Sequence, residues 1–438
     1  MEKLLEELAV KLKVAPALLA SLKDFDAQEL ILLMDQARKI KKRQNPVIPP
    51  VNGDFYRTRD MLSVEDKALL DEVRDFMLKE VEPIATEYWL KGSFPHQVLA
   101  GMKKLNICGL TYDNAYGGRG RSNLLEGMIG EEIARVDVST CTFFGVHSGL
   151  AMNSIYLCGS EQQKQDFLPP MVSMDKIGAF ALTEPDVGSA ASMGLKTTCR
   201  REGDQWVISG QKKWIGNATF ADWIIVWAKD EADHQVKGFI VDRETQGLVT
   251  EKIEDKIALR MVQNALITLT NVKVPESRRL QAANSFKDTA RVLKMTRAGV
   301  AWQAVGCARG AYENTLAYTL QREQFGRPIA GFQITQDLLA QMLSQLTAMQ
   351  AMVARLSQLQ DANVMTDEQA SLAKVFCTVS CRDISMKARE LMGANGILVS
   401  NKVARFLGDS EALYSYEGTK QINSLVVGRA ITGMSAFT

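Results

Sequence analysis

The chain has 438 residues, 46% of them apolar and 24% charged, with a net charge of +1. That length suffices for two or three domains around a large core, and the near-neutral balance gives no field for gripping nucleic acid or an anionic membrane. Seven scattered cysteines, an odd number, argue against a disulfide framework and for a reducing compartment, and with three histidines a zinc site is not expected.

The N-terminus is acidic and amphipathic rather than a signal peptide. Residues 1 to about 45 read as two short helices, with Leu4, Leu5, Leu8 and Leu12 on one face and Leu30, Leu33, Met34 and Ala37 on another. A basic run, Arg38 to Arg43, closes the second, and Asn45 to Pro50 reads as an extended linker. From 51 to 176 the pattern is helical: Ser63-Val64-Glu65-Asp66 resembles a capping box, Asn123 to Val136 is a helix, Met152 to Leu157 is part of another, and Gly117-Gly118 marks a turn. Between 177 and 285 the period shortens. Trp206–Gly210, Trp223–Ala228, Gly238–Val241 and Ala265–Leu269 are β-branched and aromatic runs separated by turn residues, hence a β-domain. From 286 to 438 long helical periods return over Val292–Arg322, Gln333–Ala362 and Asp367–Met392, which suggests a bundle. The fold class is therefore mainly α with a central β-domain. No stretch nears the ~18 uninterrupted apolar residues of a membrane span. The final Ser435-Ala436-Phe437-Thr438 is not a peroxisomal address, so a cytoplasmic location is the default expectation.

The segment richest in chemical implication is Tyr416-Glu417-Gly418-Thr419. A carboxylate beside a glycine, between aromatics and an amphipathic helix, is set up for desolvation, which raises its pKa and makes it a better base near neutrality. The bland reading is a loop glutamate at a helix start, where the dipole favours negative charge. A second unusual segment, Leu182-Thr183-Glu184-Pro185-Asp186-Val187-Gly188-Ser189, lies far upstream.

With Lys213-Trp214-Ile215-Gly216-Asn217 and Arg322-Glu323-Gln324-Phe325-Gly326-Arg327-Pro328-Ile329, four motifs stand in one order. From about Ser63 to Thr438 the chain resembles the flavin-dependent acyl-CoA dehydrogenase and oxidase superfamily. Within it the likeness is closest to glutaryl-CoA dehydrogenases and plant-type short-chain acyl-CoA oxidases. The resemblance implies an N-terminal helical domain, a β-barrel and a C-terminal four-helix bundle, with FAD between barrel, bundle and a neighbouring subunit, and hence a homo-oligomer, dimer or tetramer. It implies that Glu417 takes the α-proton of an acyl-CoA thioester while the flavin accepts the β-hydride. The enolate oxygen would be held by the base residue's own N–H and by the cofactor; such donors are worth roughly 3–4 kcal/mol each. By the same resemblance Leu182, Thr183, Ser189, Trp214 and Gly216 border the flavin. Arg322, Gln324 and Phe325 reach the cofactor of a partner subunit, Gly393 meets the adenine, and Thr419 and Gln421 add further FAD contacts. Ser189, Arg297 and Arg429 are matched to substrate and CoA contacts. Taken alone, Trp214 reads as core packing, Arg297 and Arg429 as surface ion-pair partners, and Gly326 with Pro328 as a helix-end turn. The acceptor would be an electron-transfer flavoprotein or O2.

Departures from the family pattern sharpen the reading. Gly216 stands where dehydrogenases carry Thr or Ser, which would open volume beside the flavin edge, ease oxygen access and favour oxidase behaviour. Ala190 replaces an Asp, and Gly393-Ala394 replaces a Gly-Gly pair. Cys141 and Gly145 stand where glutaryl-CoA dehydrogenases place an Arg and a Ser for a distal carboxylate. An unpaired buried charge would cost several kcal/mol, so the expected substrate is a short monocarboxyl acyl-CoA, with Phe143 and Phe144 narrowing the pocket. A flavin monooxygenase or nitroalkane-oxidising relative is disfavoured by Glu417. A non-catalytic partner-binding member remains the other alternative, motivated by the N-terminal extension.

Overall fold

In the computed structural model the chain divides into two units, Met1–Val51 and Asn52–Thr438. The structure describes residues 52–436 and, in the first unit, Asp26, Gln28, Glu29, Ile31, Leu32 and Asp35. Gln28, Glu29, Ile31, Leu32 and Asp35 are helical, and the Asp26 carboxylate accepts from the N–H groups of Gln28 and Glu29. The expected leucine faces, the basic run and the proline linker lie outside the described residues.

The second unit begins with helices α1 (Val64–Phe76), α2 (Glu82–Lys91), α3 (Val98–Leu105), α4 (Asn123–Val136), α5 (Val138–Phe144), α6 (Asn153–Cys158) and α7 (Glu161–Val172). Ser63 caps α1 by accepting from Asp66 N–H, but the return bond that would complete a capping box is not made; the Asp66 carboxylate pairs with Arg121 instead. Between α5 and α6 the backbone widens into a π-helical stretch, Gly145–Met152. Such turns are uncommon and concentrate at functional sites.

Seven strands follow: β1 (Gly178–Ala181), β2 (Thr198–Glu202), β3 (Gln205–Ile215), β4 (Trp223–Asp230), β5 (Val236–Asp242), β6 (Leu248–Lys252) and β7 (Ala265–Pro275). They form one sheet in the order β1-β4-β2-β3-β7-β6, with β5 also on β4. β4 carries three partners, parallel to β1 and β2 and antiparallel to β5, so the sheet must curl around it. Its residues Trp223–Ala228 are buried throughout, which is why the sequence there is an unbroken apolar run rather than an alternation.

The last part is a bundle of α8 (Phe286–Gln321), α9 (Gln333–Asp361), α10 (Asp367–Leu391), α11 (Val403–Ser415) and α12 (Lys420–Thr432). α8, 36 residues and roughly 50 Å long, is the spine. It lies against α4 at nearly backbone contact, and glycines make that possible. A Cβ on Gly306 would stand 2.4 Å from the Glu131 carbonyl oxygen, and one on Gly310 2.3 Å from that of Arg135. Beside this seam Arg309 pairs with Glu131, Glu132 and Glu313, and Arg74 and Arg135 also hold Glu132. Burial works against the Glu132 anion, yet its three arginines draw its pKa down to about 2. Between α8 and α9 the chain makes a two-residue hairpin, Glu323–Gln324 against Arg327–Pro328, with Phe325 and Gly326 both at positive φ. Gly326 is thus the turn of a hairpin rather than the stop of a helix, which already ends at Gln321. All seven cysteines are free and buried, and no helix among the described residues is long and apolar enough to cross a membrane.

Gly306→Val would drive a branched side chain into the Glu131 backbone. Over-packing of this kind costs about 2 kcal/mol, so thermal unfolding of the variant should show a Tm roughly 2–3 °C lower.

Candidate active site

A cavity of about 1010 Å³ opens in the second unit. Its walls come from the π-turn after α5, from β1 and β3, from the first half of α8, and from the loop between α11 and α12. Such a volume accepts a large ligand. Leu182, Thr183, Ser189, Trp214, Gly216, Arg297, Glu417 and Thr419 all line it, from positions up to 237 residues apart.

The loop bearing Glu417 is held from every side. Tyr416 donates its hydroxyl to Gln303 Oε1 at 2.7 Å. Glu417 Oε2 accepts from Thr296 Oγ1 at 2.7 Å. Asn423, fully buried, donates to the carbonyls of Gly418 and Thr419 at 2.8 and 3.2 Å, and Thr419 caps α12 through Ile422 N–H. Lys374 Nζ, from α10, donates to the carbonyls of Tyr414 and Gly418 at 2.9 and 2.8 Å. Glu417 itself has φ 53, a left-handed conformation that non-glycine residues seldom adopt and that persists only where its surroundings over-determine it. Gly418 follows at φ 86, with Asn423 packed where a side chain would begin.

Glu417 keeps accessible surface because it lines the cavity, yet protein encloses it deeply. Burial pushes its carboxyl above the ordinary range, and the Thr296 hydrogen bond and then the charges of Arg297 and Lys374 offset part of that rise. Arg297 also lines the cavity; its Nη1 is paired with Asp367, while its Nε has no partner among the described residues.

Another part of the cavity wall is fixed by a second buried lysine. Lys212 Nζ bonds the Leu182 carbonyl and Glu184 Oε1, both at 2.9 Å, and Glu184 in turn accepts from Lys196 and Thr197 N–H. Lys213 N–H reaches the Thr183 carbonyl at 2.8 Å. Trp214 is at φ 67 and 52% exposed, so its indole is a cavity wall rather than core packing. A Cβ on Gly216 would lie 3.1 Å from Val146 Cγ2, so Val146 occupies much of the space that the missing side chain leaves.

Six expected site residues lie elsewhere on the chain. Arg322, Gln324 and Phe325 stand on the exposed hairpin, Phe325 at 94% exposure. Gly393 is exposed at φ 56 just after α10, Gln421 is exposed in the first turn of α12, and Arg429 is exposed in its last turn. Phe143 does not narrow the pocket. It is fully buried with its ring 4.6 Å from Phe94, and only its neighbour Phe144 faces the cavity. Successive helical residues point about 100° apart, so one of the pair had to turn away. Cys141, Thr142 and Gly145 do line the cavity, and a Cβ on Gly145 would be 2.7 Å from Gln303 Nε2, so the carboxamide fills that end. No motif in the sequence marks Thr296, Gln303, Lys374 and Asn423. Their one visible signal is polarity inside otherwise apolar helical faces.

Thr296→Val should remove the bond to Glu417 and move that carboxyl's titration upward by about one pH unit, since a hydrogen bond to a charged group is worth ~1.5 kcal/mol. Infrared difference spectra of the carboxyl stretch against pH would measure it.

The acyl-CoA dehydrogenase N-terminal, middle and C-terminal domain families match residues 63–175, 179–272 and 286–432. The chain is 36% identical over 358 residues to a 3-(aryl)acrylate reductase of Clostridium sporogenes, covering 81% of this chain and 95% of that protein. It is 32% identical over 370 residues to the Caffeyl-CoA reductase-Etf complex subunit CarC of Acetobacterium woodii, covering 83% and 97%. A glutaryl-CoA dehydrogenase of Mycobacterium smegmatis solved in complex with FADH2 superposes with a TM-score of 0.85 at 32% identity, over 89% of this chain and 100% of that one. The curled seven-stranded sheet between two helical domains is the fold of that family. The chain belongs to the acyl-CoA dehydrogenase family, FAD-dependent oxidoreductases acting on CH–CH groups.

Proposed function

We propose that the enzyme dehydrogenates a short-chain acyl-CoA to the trans-2-enoyl-CoA with Glu417 as the base. The observation that carries this reading is the Glu417 carboxylate itself: facing the cavity, hydrogen-bonded to Thr296, and raised in pKa by burial. A carboxylate kept from water abstracts a thioester α-proton more readily than a solvated one. The Glu417 N–H is not taken by a backbone carbonyl among the described residues, which leaves it available to the developing enolate oxygen.

The residues present fit FAD. The half-exposed Trp214 indole offers a flat wall, and beside it Thr183 and the buried Leu182 present backbone held by Lys212 and Lys213. When bound, the cofactor accepts the β-hydride. Leu182, Thr183, Ser189, Trp214 and Gly216 would border its ring, and Thr419 would add a further contact from the cavity wall. The chain's own tasks are to hold that ring, to orient the thioester, to exclude water and to move one proton onto a Glu417 oxygen. Arg322, Gln324, Phe325, Gly393 and Gln421 serve the cofactor in this reading from a neighbouring subunit, which suits their exposure. Leu372, Val379 and Met386, exposed one heptad apart on α10, supply an apolar stripe for such self-association. Ser189 and Arg297 are assigned to the CoA thioester arm, and Arg429 to its outer end.

A short monocarboxyl acyl chain is supported by the wall beside Tyr416. Phe144 and the Gln303 carboxamide close that end. The cations on the cavity wall are engaged: Arg297 pairs with Asp367, and Lys256 bonds the Leu259 and Val262 carbonyls and Asn264. A distal carboxylate would therefore have to compete for a cation already held, Arg297 keeping only its Nε unpartnered among the described residues. For the acceptor, we favour a carrier flavoprotein. Val146 occupies the space beside Gly216, and a relative is named as part of an Etf complex. Direct reoxidation by O2 is the second reading, favoured by the absent hydroxyl at Gly216.

Glu417→Gln should retain bound FAD and lose about 10³-fold or more in kcat; an enzyme whose flavin still bleaches with butyryl-CoA at the original rate would remove Glu417 from the reaction. Because Glu417's pKa is raised, wild-type kcat/KM should fall as pH drops while still above the ordinary carboxylate range of about 4.3. In air, without added acceptor, peroxide formation should be slow beside dye-coupled turnover; rapid stoichiometric peroxide would assign the acceptor to O2. Gln303→Ala should shift preference towards acyl chains longer by one or two carbons, read as kcat/KM across a thioester series.

A further inference from the structure

Lys374 has no exposed surface. It lies on α10 in the run Ala373-Lys374-Val375-Phe376-Cys377, where desolvation of an ammonium is unfavourable and the usual compensation is an ion pair. Among the described residues no carboxylate comes within ion-pair distance of it. Its Nζ is spent on two backbone carbonyls, Tyr414 at 2.9 Å and Gly418 at 2.8 Å. Those carbonyls bracket Glu417: one belongs to the last turn of α11, the other to the residue just after it. A single ammonium thus pins both ends of a short turn whose middle is a strained, left-handed glutamate. Burial draws Lys374's pKa down to about 8, with the Glu417 charge opposing, so it is a cation at neutral pH.

We infer that Lys374 is the positioning residue of the proposed base: its ammonium fixes the Tyr414 and Gly418 carbonyls so that Glu417 keeps its left-handed conformation and faces the cavity, and its positive charge favours the ionised carboxylate. This deepens the reading of Glu417 as the base and rests on it. The other groups facing Glu417 are Thr296 and Arg297 from α8, the latter paired with Asp367 at the start of α10, and the neighbouring Tyr416. Arg297 shares its charge with Asp367, whereas Lys374 has no such partner. A lysine that only filled space would do neither job, and methionine would replace it at nearly the same length.

The test uses the FAD-loaded enzyme as wild type, Lys374→Met and Lys374→Gln, each checked for flavin absorbance and Tm, with dye-coupled turnover measured across pH. Lys374→Met is expected to keep its flavin and to lose about 100-fold in kcat, with KM changed only a few-fold, because misplacing a catalytic group by about an ångström has that effect. The acid limb of its kcat profile should move upward, by less than in Thr296→Val, since the charge of Lys374 acts on Glu417 more weakly than that hydrogen bond. The sign follows from charge: without the cation the carboxylate is less favoured, its pKa rises, and activity is lost at a higher pH. Lys374→Gln keeps a donor for one carbonyl but no charge. It should show the same movement of the limb with a smaller loss of kcat, and it carries the test if the methionine variant folds poorly. Unchanged kcat and limb in both variants would overturn the inference. A fall in kcat with an unmoved limb in both would overturn it too, since a merely structural clamp gives that result. Glu417→Gln in the same series reports separately on the base: if it stays active, the base assignment fails whatever Lys374 does.

Discussion

The Glu417 carboxylate stands on a cavity wall, on a backbone twisted into the left-handed region, and both circumstances are unfavourable by themselves. Much of the second unit answers to that constraint. The turn carrying it is tied to α8 by Thr296 and Gln303, to α10 by Lys374, and to α12 by Asn423 and the Thr419 cap. Three helices from separate parts of the sequence therefore meet at four residues. The glycine seam of α8 on α4 sets the spine in place, and the spine sets Thr296 and Gln303.

The wall carrying Leu182 and Thr183 solves its own problem by the same means. A fully buried lysine, Lys212, bonds the Leu182 carbonyl, as Lys374 bonds that of Gly418. A lysine suits this work. Three donors on one small tetrahedral head gather carbonyls from different directions, where a guanidinium would demand a planar arrangement. The difference is in the counter-charge. Lys212 has Glu184 at 2.9 Å, and burial still takes its pKa down to about 8. Lys374 is left with carbonyl dipoles alone in its first contacts.

How far the sequence speaks depends on how local the cause is. Long helices and unbroken β-branched runs are local, and Asn123–Val136, Gln333–Asp361 and Asp367–Leu391 fall where periodicity puts them. The Tyr416–Thr419 motif is legible because four adjacent residues carry it. What holds the motif is not: Thr296 meets Glu417 across 121 residues and Lys374 meets Gly418 across 44. Nothing in either residue's neighbourhood names its partner. The direction of Phe143 was equally hidden, since α5 runs straight into a π-turn and the helical phase there depends on that widening. The hairpin at Phe325-Gly326 is a further instance: a glycine followed by a proline two residues on suits a helix stop and a hairpin alike.

The seven sulfhydryl groups have a consequence of another kind. All are interior, and burial pushes the Cys108, Cys141, Cys199 and Cys377 thiols up, with Cys158 raised to about 11. The reactive species is the thiolate, so, Cys141 on the cavity wall apart, the native chain offers an alkylating or oxidising reagent almost nothing to attack. Modification of the others must wait for the polypeptide to open. The rate at which sulfur is labelled is then a clock for breathing of the interior rather than a survey of its surface.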